Sequence, residues 1–161
     1  MAEELPTSFK TIPYSSFFKL WYYIQKELTE DERKNVLAKV GRAIGNEFNA
    51  EGIETLDQLF EATTKFLIEE WGIVDEANFE AIEDENGKVV KIVDHLSSCK
   101  MCFANTYYRM HDSGHPACMF PNVMLAILSK VKAQFGFKNL AYETVNKPGP
   151  VGECEMTWKV A

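Results

Sequence analysis

The chain has 161 residues, of which 46% are hydrophobic, so it is long enough and apolar enough to form one domain with a genuine core. Its formal net charge is −7 and no run of Lys or Arg forms a stripe, which argues against duplex nucleic acid and anionic lipid surfaces as partners. The acidic start of the chain and its short apolar stretches predict neither a signal peptide nor a membrane span, so we expect a soluble cytoplasmic protein.

We expect residues 1–161 to form a single domain, with residues 1–13 as an irregular arm. The first predicted helix, from Ser15 to about Glu27, carries aromatic residues on more than one side, so we expect it to pack on two surfaces or on a partner. Capping-box sequences at Thr29–Glu32 and Thr55–Gln58 predict that two further amphipathic helices begin there.

Two glycines, Gly41 and Gly45, lie four residues apart in the helix that the first capping box begins. A glycine in a helix interior costs roughly 1 kcal/mol relative to alanine. We therefore expect a packing reason for this pair, namely a helix face that another backbone approaches closely.

The apolar period then changes from about 3.6 to 2 residues, which is typical of strands. Asn86-Gly87 is the strongest short-range signal for a hairpin and predicts a two-residue loop. The order of elements predicts an α+β domain, in which N-terminal helices pack on an antiparallel sheet of two hairpins with one long helix between them. The predicted strands are Phe79–Glu85, Lys88–Asp94, about Leu140–Val145 and about Glu153–Val160, and the helix between the hairpins begins near Phe120.

Four cysteines lie within residues 99–161, and the first 98 residues contain none. In a reducing compartment, clustered thiols favour metal binding or redox chemistry over structural disulfides. Zinc suits thiolates combined with imidazole, and iron or an iron–sulfur cluster is the alternative metal group. The candidate thiol ligands are Cys99, Cys102, Cys118 and Cys154.

Two metal-ligand sets are compatible with the sequence. The local set has the spacing of a compact zinc site and consists of Cys99, Cys102, His115 and Cys118. The other set joins residues that are distant in the chain. Its members are Cys118, Cys154 and Glu143, with Cys99, Cys102 or His95 as the fourth ligand.

Three interpretations without a metal stay open. In the simplest, Cys118 and Cys154 are small buried residues of the core. In the second, Cys99-Lys-Met-Cys102 is a redox pair, although the βαβ surroundings of thioredoxin-like proteins are missing. In the third, Cys118 is a nucleophile activated by the N-terminus of the helix that follows it and by a neighbouring histidine.

The residues that flank the cysteines are rich in aromatic rings and methionine. They pack in an ordinary core, or they line an apolar pocket for a small hydrophobic molecule. The candidate ligand-binding residues are Phe103, Tyr107, Tyr108, Met119, Phe120 and Met124.

The region from about Val36 to Val160 resembles a known family, the four-vinyl-reductase-like domain, also called the hydrocarbon-binding domain. The order and spacing of several loose motifs carry this resemblance. The motifs are Gly41-Arg-Ala-Ile-Gly45, Glu70-Trp-Gly72 before a hairpin, Cys118 at a helix start, Glu143-Thr-Val-Asn146, and Glu153-Cys154-Glu-Met-Thr-Trp-Lys-Val160.

The resemblance implies an α+β fold that often dimerises and that holds a small hydrophobic ligand near a metal-stapled end. Carried over from the family's sensor proteins, the zinc positions become Cys118, Glu143, Asn146 and Cys154. Asn146 departs from the pattern, because the family has a cysteine there. The resemblance therefore implies that Cys99, Cys102 or a histidine replaces it, and His95 stands where a related hydrolase-like group has a cysteine.

These observations predict a stand-alone protein that binds a small hydrophobic molecule beside a cysteine-rich metal site, with zinc as the metal. One alternative is a metal- or cysteine-dependent hydrolase or reductase that acts on a small organic substrate. The other is a dimerising interaction module, in which the aromatic first helix forms the contact between the two copies of a homodimer.

Overall fold

The computed structural model describes residues 14–114 and 116–161, with side chains from Ser16 onward. These residues form five α-helices, one π-helical turn and one four-stranded antiparallel sheet, so the predicted α+β class is confirmed. The expected N-terminal arm, residues 1–13, lies outside the described residues. None of the helices that the structure describes is long and apolar enough to cross a membrane.

The sheet has the strand order β1-β2-β4-β3, so the last strand lies beside the first hairpin. The helices are α1 Tyr14–Glu27, α2 Glu30–Glu47, α3 Leu56–Lys65, α4 Lys100–His111 and α5 Phe120–Val131, and the π-helical turn is Phe66–Glu70. The strands are β1 Glu76–Glu83, β2 Val89–Ser97, β3 Ala141–Asn146 and β4 Cys154–Lys159.

Two helices, α4 and α5, lie between the hairpins, whereas the sequence predicted one. Helix α4 was missed because its apolar residues do not form a single stripe. Met101, Ala104 and Tyr108 are buried, but Phe103 and Met110 on the same helix are exposed.

Both capping boxes are present as predicted. The Thr29 side chain accepts a hydrogen bond from the Glu32 backbone N–H, and the Glu32 carboxylate accepts one from the Thr29 backbone N–H. Thr55 and Gln58 make the same reciprocal pair at the start of α3. Each box satisfies backbone donors that a helix N-terminus otherwise leaves without partners.

The two glycines of α2 contact α5, which confirms the expected close approach of two backbones. A Cβ atom on Gly41 would lie 2.4 Å from the Met119 carbonyl oxygen. A Cβ atom on Gly45 would lie 2.4 Å from the Val123 carbonyl oxygen and 2.7 Å from the Ala126 Cβ. Only glycine fits at these positions, so α2 fixes the N-terminal half of α5.

The first hairpin turns through three residues, Glu85-Asn86-Gly87, so the predicted two-residue loop was wrong. The Asp84 carboxylate accepts hydrogen bonds from the backbone N–H groups of Asn86 and Lys88, and these bonds stabilise the turn. Gly87 has φ +74°, a left-handed conformation that glycine adopts without strain.

Strand β4 alternates as predicted, because Cys154, Met156 and Trp158 are buried. Phe120, at the start of α5, lies between two indole rings. Its ring centroid is 6.1 Å from that of Trp71 and 6.4 Å from that of Trp158. These contacts place the start of α5 over the buried face of the sheet.

Helix α1 packs on α4, with Trp21 and Gln25 buried between them. Its other side leaves Leu20, Tyr23 and Ile24 exposed. This exposed side is compatible with the homodimer contact that the sequence suggested, and the homodimer stays a prediction.

Candidate functional site

The four cysteines come from three separate parts of the chain. Cys99 is the N-cap of α4 and Cys102 lies in the first turn of that helix. Cys118 lies just before α5, and Cys154 is the first residue of β4. All four are free thiols, and Cys99 and Cys154 are buried.

The loop between β3 and β4 packs directly on the turn that carries the first two cysteines. The Cys99 backbone N–H donates to the Gly152 carbonyl at 3.1 Å. Gly152 has φ +103°, and a Cβ atom there would lie 3.0 Å from the Phe103 ring and 3.1 Å from the Ser98 Cα. Because glycine allows this contact, the start of β4 lies beside the first turn of α4.

A buried polar network holds the segment that carries Cys118. The Ala117 backbone N–H donates to Gln25 Oε1 at 2.7 Å, and Asn105 Nδ2 donates to the Ala117 carbonyl at 3.3 Å. Asn105 Oδ1 accepts from Gln25 Nε2 at 3.0 Å and from Trp21 Nε1 at 2.7 Å. Helices α1 and α4 therefore bind the backbone N–H and the carbonyl group of Ala117, the residue before Cys118.

The Cys102 sulfur is the centre of the thiol cluster. The Cys154 and Cys99 side chains lie close enough to it to lower the pKa of its thiol. The Lys147 ammonium group lies 3.0 Å from the Cys102 sulfur and 3.2 Å from the Cys154 sulfur. Cys102 therefore has Cys99, Cys154 and Lys147 as its neighbours in the cluster.

The pKa values of the cluster follow from these contacts. Hydrogen bonds from Cys154, Cys99 and Lys147 hold the pKa of Cys102 far below its usual range. Donation to Cys102, together with burial, raises the pKa of Cys99 and of Cys154. Burial, the largest single influence on Lys147, lowers its pKa, but the hydrogen bonds and charges of Cys102 and Cys154 together outweigh burial and raise the pKa.

Cys118 belongs to the same electrostatic environment. Burial raises the pKa of its thiol to about 11, the backbone N–H of Phe120 lowers it, and the negative charge of Cys102 raises it further. Cys118, just before α5, also lines the same cavity as Cys102.

A cavity of about 380 Å³ lies beside the cluster, and Cys102 and Cys118 form part of its wall. Half of the other wall residues are apolar, two are the glycines Gly149 and Gly152, and the charged ones come from α4, from the β3–β4 loop and from the residue before β4. The apolar wall residues are Pro116, Pro121, Tyr142, Val145, Pro150, Val151 and Met156. The polar and charged ones are Asn105, Thr106, Arg109, Lys147 and Glu153.

A buried carboxyl group lies on the same face of the sheet. Asp94 is fully buried on β2, and its Oδ1 accepts a hydrogen bond from the Met156 backbone N–H at 3.1 Å. Its Oδ2 has no hydrogen-bond partner among the described residues. Burial raises the pKa of this carboxyl well above its ordinary value.

Two of the other predicted metal ligands lie outside the cluster. His95 is on the opposite face of β2, exposed, with its Nδ1 3.3 Å from a Glu155 carboxylate oxygen. Glu143 is on the edge strand β3 and forms an exposed ion pair with Lys91 at 2.8 Å. His115 lies outside the described residues, so its ligand role stays a prediction.

The six predicted ligand-binding residues are distributed around α4 and α5 rather than around the cavity. Met119, Phe120 and Met124 are buried in the core, and Tyr108 is buried with its hydroxyl accepting from Arg33. Tyr107 contacts His111 and rings of α1, and Phe103 packs on Gly152. Their role in ligand binding stays a prediction, since the described wall of the cavity beside the cysteines consists of other residues.

Three residues of this region were not singled out in the sequence, namely Lys147, Arg109 and Asp94. Lys147 follows Asn146, the position where the resembling family has a cysteine, and this adjacency was the one available signal. Arg109 and Asp94 belong to no motif, and their position depends on tertiary packing alone.

The thiol form of the cluster is not arranged as a metal cage. Within residues 14–114 and 116–161, no group of three or more His, Cys, Asp or Glu side chains is placed so that it could hold a metal ion as it stands. The sulfur atoms are instead turned toward Cys102 and Lys147 by hydrogen bonds.

No protein-family model matches this sequence, and no curated protein is significantly similar to it.

Proposed function

We propose that this protein binds a small hydrophobic molecule in the cavity beside a four-cysteine centre, and that the centre binds zinc. The observation that carries this proposal is the meeting of cysteines from three chain segments, two of them in the cavity wall. The loose motifs that resemble the hydrocarbon-binding domain family point to the same combination of apolar ligand and zinc.

The chemistry of the four donors fits zinc. Thiolates are preferred zinc ligands, and a structural site commonly takes four of them in a tetrahedron with Zn–S distances of about 2.3 Å. Three of the thiols are already in hydrogen-bond contact, so rotations of their side chains would bring the sulfur atoms around an ion. Cys99, Cys102, Cys118 and Cys154 would hold the metal, and bound zinc would tie α4, α5 and β4 together.

Lys147 supports this assignment. A zinc ion with four thiolates carries a net charge of 2−, and a partly buried site must offset that charge. The Lys147 ammonium is already within hydrogen-bond distance of two sulfur atoms, so it offsets one of the two negative charges.

Zinc titration of the reduced protein tests the proposal. We expect one zinc ion per chain, measured by competition with a chromogenic chelator, and a higher Tm in the presence of zinc. Cys102→Ser removes the central thiol, so we expect it to lower zinc affinity at least 100-fold and to abolish the rise in Tm.

His95→Gln is the matched control, because it removes a candidate ligand that the structure places on the opposite face of the sheet. This variant should bind zinc as the wild type does. A wild-type protein that binds no zinc, or a Cys102→Ser variant with unchanged affinity, would overturn the proposed centre.

A further inference from the structure

The charged residues of the cavity wall differ in balance from those of the whole chain. The chain has 24 Asp and Glu against 17 Lys and Arg. The cavity wall has two cations, Arg109 and Lys147, and one acid, Glu153. Among the Asp, Glu, Lys and Arg side chains the balance is thus reversed in the cavity wall, and a cation that has no partner there attracts an anionic group.

Glu153, the single acid of the wall, already has a hydrogen-bond partner. A Glu153 carboxylate oxygen accepts a hydrogen bond from the Ser97 hydroxyl at 3.1 Å. Lys147 is engaged as well, since its ammonium group is bound to the sulfur atoms of Cys102 and Cys154. Neither group therefore neutralises the remaining cation.

Arg109 is that remaining cation. It lies in the last turn of α4, and its exposed side chain forms no ion pair or hydrogen bond with any other described residue. A guanidinium group offers donors in a planar fork that matches the two oxygens of a carboxylate. At the edge of a cavity, such a group is well suited to hold the anionic end of a ligand.

The rest of the cavity wall is suited to the apolar part of a ligand. Prolines and Met156 form much of it, and Val145 and Val151 expose nearly half of their surfaces there. Covering these groups with a hydrophobic ligand gains roughly 25 cal/mol per Å² of apolar surface removed from water. An ion without an apolar part would leave this surface exposed.

We propose that the ligand of this cavity is a hydrophobic carboxylate, with its apolar body on the proline and valine wall and its carboxylate on Arg109. This inference rests on the proposed function and extends it from small hydrophobic molecules in general to anionic ones. The Lys147 ammonium lies on the sulfur atoms of the cluster, so Arg109 is the cation that this assignment depends on.

A matched pair of probes tests the ligand class. Octanoate and octanamide share one apolar chain and differ in the charge of the head group. Isothermal titration of the zinc-loaded protein should show octanoate binding at least 10-fold more tightly than octanamide. In Arg109→Gln we expect that ratio to fall to about 1, with the affinity for octanamide unchanged.

Lys132→Gln is the control, because it removes one positive charge from an exposed position outside the cavity wall. It should keep the wild-type ratio. Equal binding of the two probes by the wild type, or an unchanged ratio in Arg109→Gln, would overturn the carboxylate assignment and leave the proposed function standing. Binding of neither probe would overturn both the carboxylate assignment and the ligand-binding part of the proposed function.

Discussion

The α2–α5 interface and the cysteine cluster adjoin the same segment, residues 116–119, but they are built in different ways. At the interface, two backbones meet through Gly41 and Gly45, with the Met119 and Val123 carbonyl oxygens directly against the glycines. In the cluster, an ammonium group, several thiols and a buried carboxyl lie close together. The interface follows the rules of efficient packing, whereas the cluster departs from them, and such departures concentrate at functional sites.

Two buried polar side chains, Gln25 and Asp94, differ in the same way. Gln25 is fully buried, and both ends of its amide group have partners. Asp94 is also fully buried, but one of its carboxylate oxygens has none. The first group stabilises the fold, whereas the second destabilises it, because a buried polar atom without a partner costs free energy.

The largest expected change in the free energy of unfolding is at the α2–α5 interface. Gly45→Ala places a methyl group against the Val123 carbonyl and the Ala126 Cβ, so α2 and α5 must move apart. We expect a loss of roughly 2–3 kcal/mol in the free energy of unfolding, measured by urea denaturation. Arg42→Ala, at an exposed position of the same helix, should change it by less than about 0.5 kcal/mol. Equal stabilities of the two variants would show that the backbones do not pack this closely.

The next largest effect is expected at Gln25, where one substitution is measured both by protein stability and by zinc affinity. Gln25→Met keeps the size of the side chain but removes the acceptor of the Ala117 backbone N–H and one of the two donors to Asn105 Oδ1. We expect a loss of roughly 1–3 kcal/mol in unfolding free energy and a weaker zinc complex, because the segment before Cys118 loosens. Glu27→Met, exposed on the same helix, is the control. A destabilised Gln25→Met variant with unaltered zinc affinity would show that the network does not position Cys118.

At Asp94 we expect a substitution to stabilise the protein, in contrast to the two substitutions above. Burial raises the pKa of this carboxyl and the charge of Glu155 raises it further, whereas the Met156 backbone N–H and Lys147 lower it. The folded protein therefore binds a proton that the unfolded chain releases above about pH 4, and stability is lost as pH rises toward the raised pKa. Asp94→Asn removes this loss.

The two proteins should be equally sensitive to urea below about pH 4, and Asp94→Asn should be roughly 1–2 kcal/mol more stable near neutral pH. Glu80→Gln, an exposed carboxyl change on the neighbouring strand, should show no such growth with pH. A stability difference that stays constant across this range would contradict an unpaired buried carboxyl.

The smallest expected effect concerns Glu143. It pairs with Lys91 at the surface, and exposed ion pairs contribute about 0–1 kcal/mol. Glu143→Gln should therefore change unfolding free energy by less than about 0.5 kcal/mol and leave zinc affinity unchanged. A clear fall in zinc affinity would instead make Glu143 a metal ligand, as the family resemblance implies.

The parts of the fold that depend on local pattern were predictable. The capping boxes, the inward side of β4 and the close approach at Gly41 and Gly45 follow from residue spacing along one helix or strand. Helix α4 was not predicted, because its apolar residues are spread over more than one side, and the Asp84 hydrogen bonds lengthened the first hairpin loop.

The site was predictable only in its residue types. The number of cysteines and the gap at Asn146 pointed to thiols that meet from distant segments. The position of Lys147 between two sulfur atoms depends on how the β3–β4 loop packs on α4 through Gly152, which is a contact across more than fifty residues. No pattern within one element carries that information.

X-ray absorption at the zinc K-edge of the reduced, zinc-loaded protein tests the central claim most directly. Four cysteines around one ion predict four sulfur ligands at about 2.3 Å and no nitrogen or oxygen ligand. Ligands at about 2.0–2.1 Å would place a histidine or carboxylate in the site, and protein that retains no zinc after dialysis would remove the centre altogether.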